Sequence, residues 1–251
     1  QSPGKLNITG DLNLGLDEAS AAEITPTSNL IWTVQDAGND NQLFGLNHRG
    51  KIIRSITIAN AKNIDWEDLT SDQEGNIYIG DFGNNKKRRK KFIILKINEN
   101  DLTKSSAIAE LISFQLPKGT QSQDFEAFFV FESYFYLFSK ASKECLVFKV
   151  PNRAGHHIAQ FISRHHFKGR SNKITAADIS ISGSVVLLNH DKLWKADGYN
   201  GDDFFSGQIK KMNFGHYSQK EGVCFKNDST VVITDERNDL TGGNLYEFYL
   251  D

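Results

Sequence analysis

The chain has 251 residues, of which 39% are hydrophobic, with 18 Phe, 7 Tyr, 3 Trp and a formal net charge of -2. That length allows one or two domains, and the near-neutral charge argues against a general nucleic-acid binder. No apolar run is long enough to cross a membrane as a helix, and 4 Pro with 1 Met leave no Pro-rich linker.

In chain order, Lys5-Leu6-Asn7-Ile8-Thr9 comes first and alternates apolar with polar residues, the period of a half-buried strand. One pattern then recurs: an acidic residue in most copies, a short apolar-alternating strand, a turn, and a second strand ending in polar residues. The first and weakest copy is Ser20-Ala21-Ala22-Glu23-Ile24 with Leu30-Ile31-Trp32-Thr33-Val34. The second is Trp66-Glu67-Asp68-Leu69 with Asn76-Ile77-Tyr78-Ile79-Gly80-Asp81. The third is Phe125-Glu126-Ala127-Phe128 with Tyr134-Phe135-Tyr136-Leu137-Phe138-Ser139. The fourth is Ala177-Asp178-Ile179 with Ser184-Val185-Val186-Leu187-Leu188-Asn189. The fifth is Glu221-Gly222-Val223-Cys224-Phe225 with Thr230-Val231-Val232-Ile233-Thr234-Asp235.

Aligned on Ser20, Glu67, Glu126, Ala177 and Glu221, the copies lie 47, 59, 51 and 44 residues apart, and the wrap-around spacing is 50. Strand repeats of this length are the signature of a propeller, and the closing value predicts a ring. Third strands are expected at 42–47, 92–97, 145–150, 192–195 and 244–250, and outer strands at 52–58, 107–116, 158–166 and 208–214. The last copy has no room for an outer strand, so residues 5–9 are assigned to it. The expectation is all-β: a five-bladed β-propeller of four-stranded antiparallel blades, closed by the N-terminal strand, as one domain over residues 1–251. Cys145 and Cys224 fall on different blades and are expected as buried thiols. The chain opens Gln-Ser-Pro without Met, which reads as a processed or trimmed end, and export is expected.

A propeller gathers the starts of first strands and the ends of second strands on one face. That face should hold Asp65, Glu67, Asp68, Asp124, Glu126, Asp178 and Glu221, with Asp36, Asp81, Lys140, His190 and Asp235-Glu236-Arg237. Converging carboxylates repel unless a cation sits among them, and hard oxygen donors suit Ca²⁺ or Mg²⁺. Glu67, Glu126, Glu221 and Asp178 are the predicted metal ligands, with Ca²⁺ as the expected ion. A structural role, with Lys140, Arg88, Arg237 and water satisfying the acids, is equally open. The Lys86–Lys91 run resembles a polyanion patch but reads as a solvated hairpin loop, with Arg88 turned toward the mouth and an anion-binding role left open. His156-His157 and His165-His166 read as surface histidines.

The run Ile64-Asp65-Trp66-Glu67-Asp68-Leu69, then Tyr78-Ile79-Gly80-Asp81-Phe82-Gly83-Asn84-Asn85 and Arg88, resembles a group of exported bacterial propellers. Their pattern is D-W-E-D-[IL]-A, then Y-I-G-D-I-G-D-N and a nearby Arg. Leu30–Asn39, Asp124–Ala127, Thr175–Ser180 and Ser218–Val223 agree with further blocks of that group, in order. The layout is also similar to the SdiA-regulated propeller family. The chain departs from the pattern at Phe82 for Ile, at Asn84 for Asp, and at Leu188-Asn189-His190 for an Arg-containing block. The resemblance implies an exported or lipid-anchored protein, periplasmic or extracellular, with a polar, Ca²⁺-binding face.

Two functional readings follow. In the first, a monomeric, non-catalytic module uses a Ca²⁺-bearing mouth to bind a small-molecule, glycan or protein ligand. In the second, a metal-dependent hydrolase acts on phosphoesters, with His190 or a further carboxylate as base and Arg88 or Lys140 binding substrate. Paired carboxylates also leave a glycosidase variant open.

Overall fold

The computed structural model describes residues 4–239 and 241–250. Its principal sheets form the five blades. Blade one contains strands Ile31–Thr33, Gln42–Leu46 and Ile52–Ile58. Blade two contains Trp66–Ser71, Ile77–Asp81, Phe92–Ile97 and Glu110–Gln115. Blade three contains Phe125–Phe131, Tyr134–Ser139, Cys145–Pro151 and Gln160–His165. Blade four contains Ala176–Ile179, Val185–Leu188, Lys192–Asp197 and Gln208–Asn213. Blade five contains Lys220–Asn227, Thr230–Asp235 and Asn244–Tyr249. Leu6–Asp11 pairs antiparallel with Asn244–Tyr249 and supplies its outer strand, as expected.

The segment 19–24 stands in place of an inner strand in blade one, attached through single bridges, Ala19 to Gln35 and Glu23 to Trp32. Two short strands also extend the sheets beyond a purely antiparallel pattern. Ser106–Ala107 adds in parallel to the outer strand of blade one, and Gly155–Ile158 adds in parallel to that of blade two. Each belongs to the connection into the next blade's outer strand and covers an edge that would otherwise be open.

The core follows from the alternation along each strand. Five apolar clusters fill the gaps between successive blades, the last joining blade five to blade one. The gap between blades two and three has the most buried aromatic rings, Phe82, Phe92, Phe114, Phe125, Phe128, Phe135 and Phe148 together with Tyr78. Full burial of one such ring contributes about 1.5–3 kcal/mol. Cys145 and Cys224 are free, buried thiols within this packing. The ring closes tightly at Gly222, where a Cβ would collide with the backbone of Ala21 and Ala22.

Inner strands have one edge facing the channel, so their N–H groups need partners from neighbouring blades. Asp68 accepts from Leu69 N (2.9 Å), Phe128 N (3.2 Å) and Ala177 N (3.5 Å). Thr70 Oγ1 accepts from Val130 N (3.1 Å), and Asp178 from Phe225 N (2.7 Å). These side chains stitch the blades together around the bore.

Candidate functional site

Three inner strands carry a β-bulge at the same place. Trp66 pairs with Asp81 and Asp68 with Gly80, so Glu67 is the extra residue. Phe125 pairs with Ser139 and Ala127 with Phe138, leaving Glu126. Lys220 pairs with Asp235 and Gly222 with Thr234, leaving Glu221. A bulge releases one residue from the ladder and re-aims its side chain. Blade four has no such shift there: Ala177 pairs with Leu187 and Asp178 with Val186. Three of the four predicted ligands therefore share one mouth, and Asp178 does not join them.

Glu67 meets Asp36 and Asp65, each offering a carboxylate oxygen within 4.8 Å of the others. Asn63 holds this group together. Its amide donates to Gln35 O (2.7 Å) and Asp36 O (3.0 Å), and its oxygen accepts from Trp66 N (3.1 Å). Gly83 closes the far side, where a Cβ would fall on Glu67 Oε1 and Asp65 Cγ. Glu67 is 7% exposed and has no hydrogen bond or ion pair among the described residues. Burial, then the charges of Glu126, Asp36 and Asp65, push its carboxyl well above the usual range. Asp65 is pushed up to about 7 by burial, then by a shared hydrogen bond with Asp36 and repulsion from it.

The neighbouring acids are differently placed. Glu126 is ion-paired with Lys140 through Oε1, while its Oε2 is buried without a hydrogen-bond partner among the described residues. Burial alone would depress the Lys140 ammonium, but Glu126, Glu221 and Glu67 hold it above its ordinary value. Glu221 Oε1 lies 3.0 Å from His190 Nε2, and the other ring nitrogen of His190 lies 3.4 Å from Tyr217 Oη. Glu236 is pushed up to about 8 by burial, then by Glu221 and Asp36. Asp81 is met by Arg89 at 2.8 Å. Arg88 is exposed, and its backbone N–H donates to Asn84 Oδ1 at 2.9 Å, so its neighbour is the arginine turned inward. Arg237 reaches outward to Asp17 at 3.2 Å. The paired histidines lie on outer segments, with His156 against Ser113 and the His165 ring stacked on Phe205.

Asp178 lies with Asp68 and Glu23 in the bore. Burial raises all three carboxyls, with Asp178 pushed up to about 7. Glu23 and Asp178 border a cavity of about 1130 Å³ at the opposite end of the channel, with Tyr78, Phe131 and Phe225 in its wall.

Sequence reasoning put Asp36 and Asp65 at the mouth without making them partners of Glu67. It missed Arg89 and Lys220. Lys220 is fully buried and pushed down to about 8 by burial, and its Nζ donates to Ser218 Oγ (2.8 Å) and His190 O (3.0 Å). Its place beside Glu221 was the available signal.

No family model and no curated relative matches the chain. Similar solved structures include the PQQ-bound aldose sugar dehydrogenase from Streptomyces coelicolor, with a TM-score of 0.58 at 8% identity, covering 98% of this chain and 99% of that one. A gluconolactonase from Xanthomonas campestris gives 0.54 at 11% identity, covering 98% and 89%. A streptogramin B lyase gives 0.52 at 11% identity, covering 98% and 87%. At such identities the likeness is one of fold, and it places the chain among β-propellers. Among the described residues, no helix is long and apolar enough to cross a membrane.

Proposed function

We propose that the protein is an exported, monomeric propeller that holds Ca²⁺ at its acidic mouth and uses that mouth to bind a small-molecule, glycan or protein ligand. The observation that carries this reading is Glu67: a nine-tenths buried carboxylate without a hydrogen-bond or ion-pair partner among the described residues, within 4.8 Å of two more carboxylates. Burying an uncompensated charge is strongly unfavourable, and a divalent cation removes the penalty. All-oxygen donors favour Ca²⁺ or Mg²⁺ over softer metals, and Ca²⁺ tolerates an irregular carboxylate set completed by water. Asp36, Asp65 and Glu67 would hold the ion. Glu126 and Glu221 stand nearby with Lys140 and His190, adding negative field and polar contacts for a ligand. Export is supported by the resemblance of the Trp66–Leu69 and Tyr78–Asn85 blocks to exported propellers. The test is a thermal melt of chelator-stripped protein with Ca²⁺, Mg²⁺ or Mn²⁺ added. An ion that binds the native state stabilises it by about 2.7 kcal/mol at a hundredfold excess over its dissociation constant. No shift with any ion would overturn the reading.

A second reading, a metal-dependent phosphoester hydrolase, is favoured by one observation, the His190–Glu221 pair at 3.0 Å on the same mouth. A carboxylate orients an imidazole as a general base. Metal-dependent turnover of p-nitrophenyl phosphate that disappears in His190→Ala would establish it. Absence of turnover with every ion would exclude this substrate and favour binding.

A further inference from the structure

Beside the carboxylates, the same mouth carries a pocket of opposite charge. Lys87, Lys140, Lys143 and Lys173 line a cavity of about 370 Å³, together with Asn85 and Ser142. Lys140 belongs to both regions, since one face of its ammonium meets Glu126. The side chains of Lys87, Lys143 and Lys173 form no ion pair or hydrogen bond among the described residues. The carboxylate at the pocket wall is Asp124, which already accepts from Asn84 N at 2.8 Å. Burial raises the Asp124 carboxyl, and the charges of Lys140, Lys87 and Lys173 all act against that rise, so these ammonium groups converge on one place.

The backbone fixes this arrangement. Lys87 has φ of 51°, in the left-handed region that a lysine rarely adopts. It closes a turn onto Asn84 O at 2.8 Å. Asn84 locks the turn to blade three by donating to Ser122 Oγ and Gln123 O, each at 2.8 Å, while its oxygen accepts from Arg88 N and Arg89 N. An aspartate could not make the two donations. Lys173 is held from blade four, its carbonyl accepting from Asn189 Nδ2. Like charges gathered in a concave site repel, and an oxyanion both relieves the repulsion and satisfies the unused donors.

We propose that the ligand of this mouth carries an oxyanion of the phosphate type that docks among Lys87, Lys140, Lys143 and Lys173. The inference deepens the ligand-binding reading above, but the pocket does not require the cation. That separation gives the experiment two independent arms.

The test is a pair of titrations on chelator-stripped protein, followed by thermal shift at constant ionic strength set with chloride. One arm adds inorganic phosphate, with sulfate and acetate for comparison; the other adds Ca²⁺ alone. The expected result is a phosphate shift in the wild type that weakens about tenfold or more in apparent affinity in Lys143→Gln/Lys173→Gln. Both residues are exposed, so the variant should fold, and its Ca²⁺ response should match the wild type. No oxyanion shift beyond the chloride control, or an equal shift in the double variant, would overturn the proposal. A phosphate response without a Ca²⁺ response would support the pocket and sink the cation site. The reverse outcome would sink the pocket and leave the cation site standing.

Discussion

Two sets of carboxylates lie within one channel, and they differ in what they face. In the bore, Asp68 and Asp178 point at the backbone: Asp68 takes the N–H groups of Leu69, Phe128 and Ala177, and Asp178 takes that of Phe225. At the mouth, Asp36, Asp65 and Glu67 point at one another, and Glu67 has no hydrogen-bond donor among the described residues. Burial raises the carboxyls of both Asp68 and Glu67, so desolvation does not separate the two sets. Hydrogen-bond satisfaction does. The bore acids close the ring of blades, and the mouth acids face one another with only Lys140 acting against the Glu67 rise.

The largest expected effect comes from the bore. Asp68→Ala removes the acceptor for donors on three blades, and each buried N–H left unsatisfied costs about 1–3 kcal/mol. A loss of about 3 kcal/mol in urea denaturation is predicted; a loss below about 1 kcal/mol would break the contrast. Gly83→Ala attacks the mouth by crowding. Its Cβ would fall on Glu67 and Asp65, so a loss of about 1–3 kcal/mol is expected, together with the Ca²⁺ response.

The difference was only partly legible in the sequence. Spacing and alternation identified the blades, the closing N-terminal strand and the mouth itself. They grouped Asp178 with Glu67, Glu126 and Glu221, although it lies one residue past the register that those three share. What a strict period of two cannot reveal is a bulge, because a bulge breaks the period. Glu67, Glu126 and Glu221 each sit on one, and blade four lacks the shift at Ala177. The inward turn of Arg89 rather than Arg88 depends on the turn that Asn84 organises, a matter of loop geometry. The parallel edge strands were hidden because Ser106–Ala107 and Gly155–Ile158 are too short to carry a pattern.

The pH dependence sharpens the comparison further. Asp65 and Asp178 are pushed up to about 7 and Glu236 to about 8 in the folded chain. Unfolded Asp and Glu release their protons near about 4. Between those limits the native state holds protons that the unfolded state has lost, so these groups make stability fall as pH rises from about 4 to about 8. Melts of chelator-stripped protein should show that slope. Ca²⁺ should reduce the part owed to Asp65 and leave the part owed to Asp178. A slope that rises with pH, or one that Ca²⁺ leaves unchanged, would contradict the assignment.

The smallest expected effect is the most diagnostic. Glu67→Gln removes a charge that Lys140 offsets only in part, against burial and three neighbouring carboxylates, so in chelator its stability should stay level or rise by up to about 1 kcal/mol. A clear loss would mean that Glu67 is structural, like Asp68.

The central claim, that Asp36, Asp65 and Glu67 form a cation site, is tested most directly by calorimetric titration of Ca²⁺ into chelator-stripped wild type and Glu67→Gln. The account predicts saturable binding to the wild type and none to the variant. No binding by the wild type, or equal binding by both proteins, would contradict it.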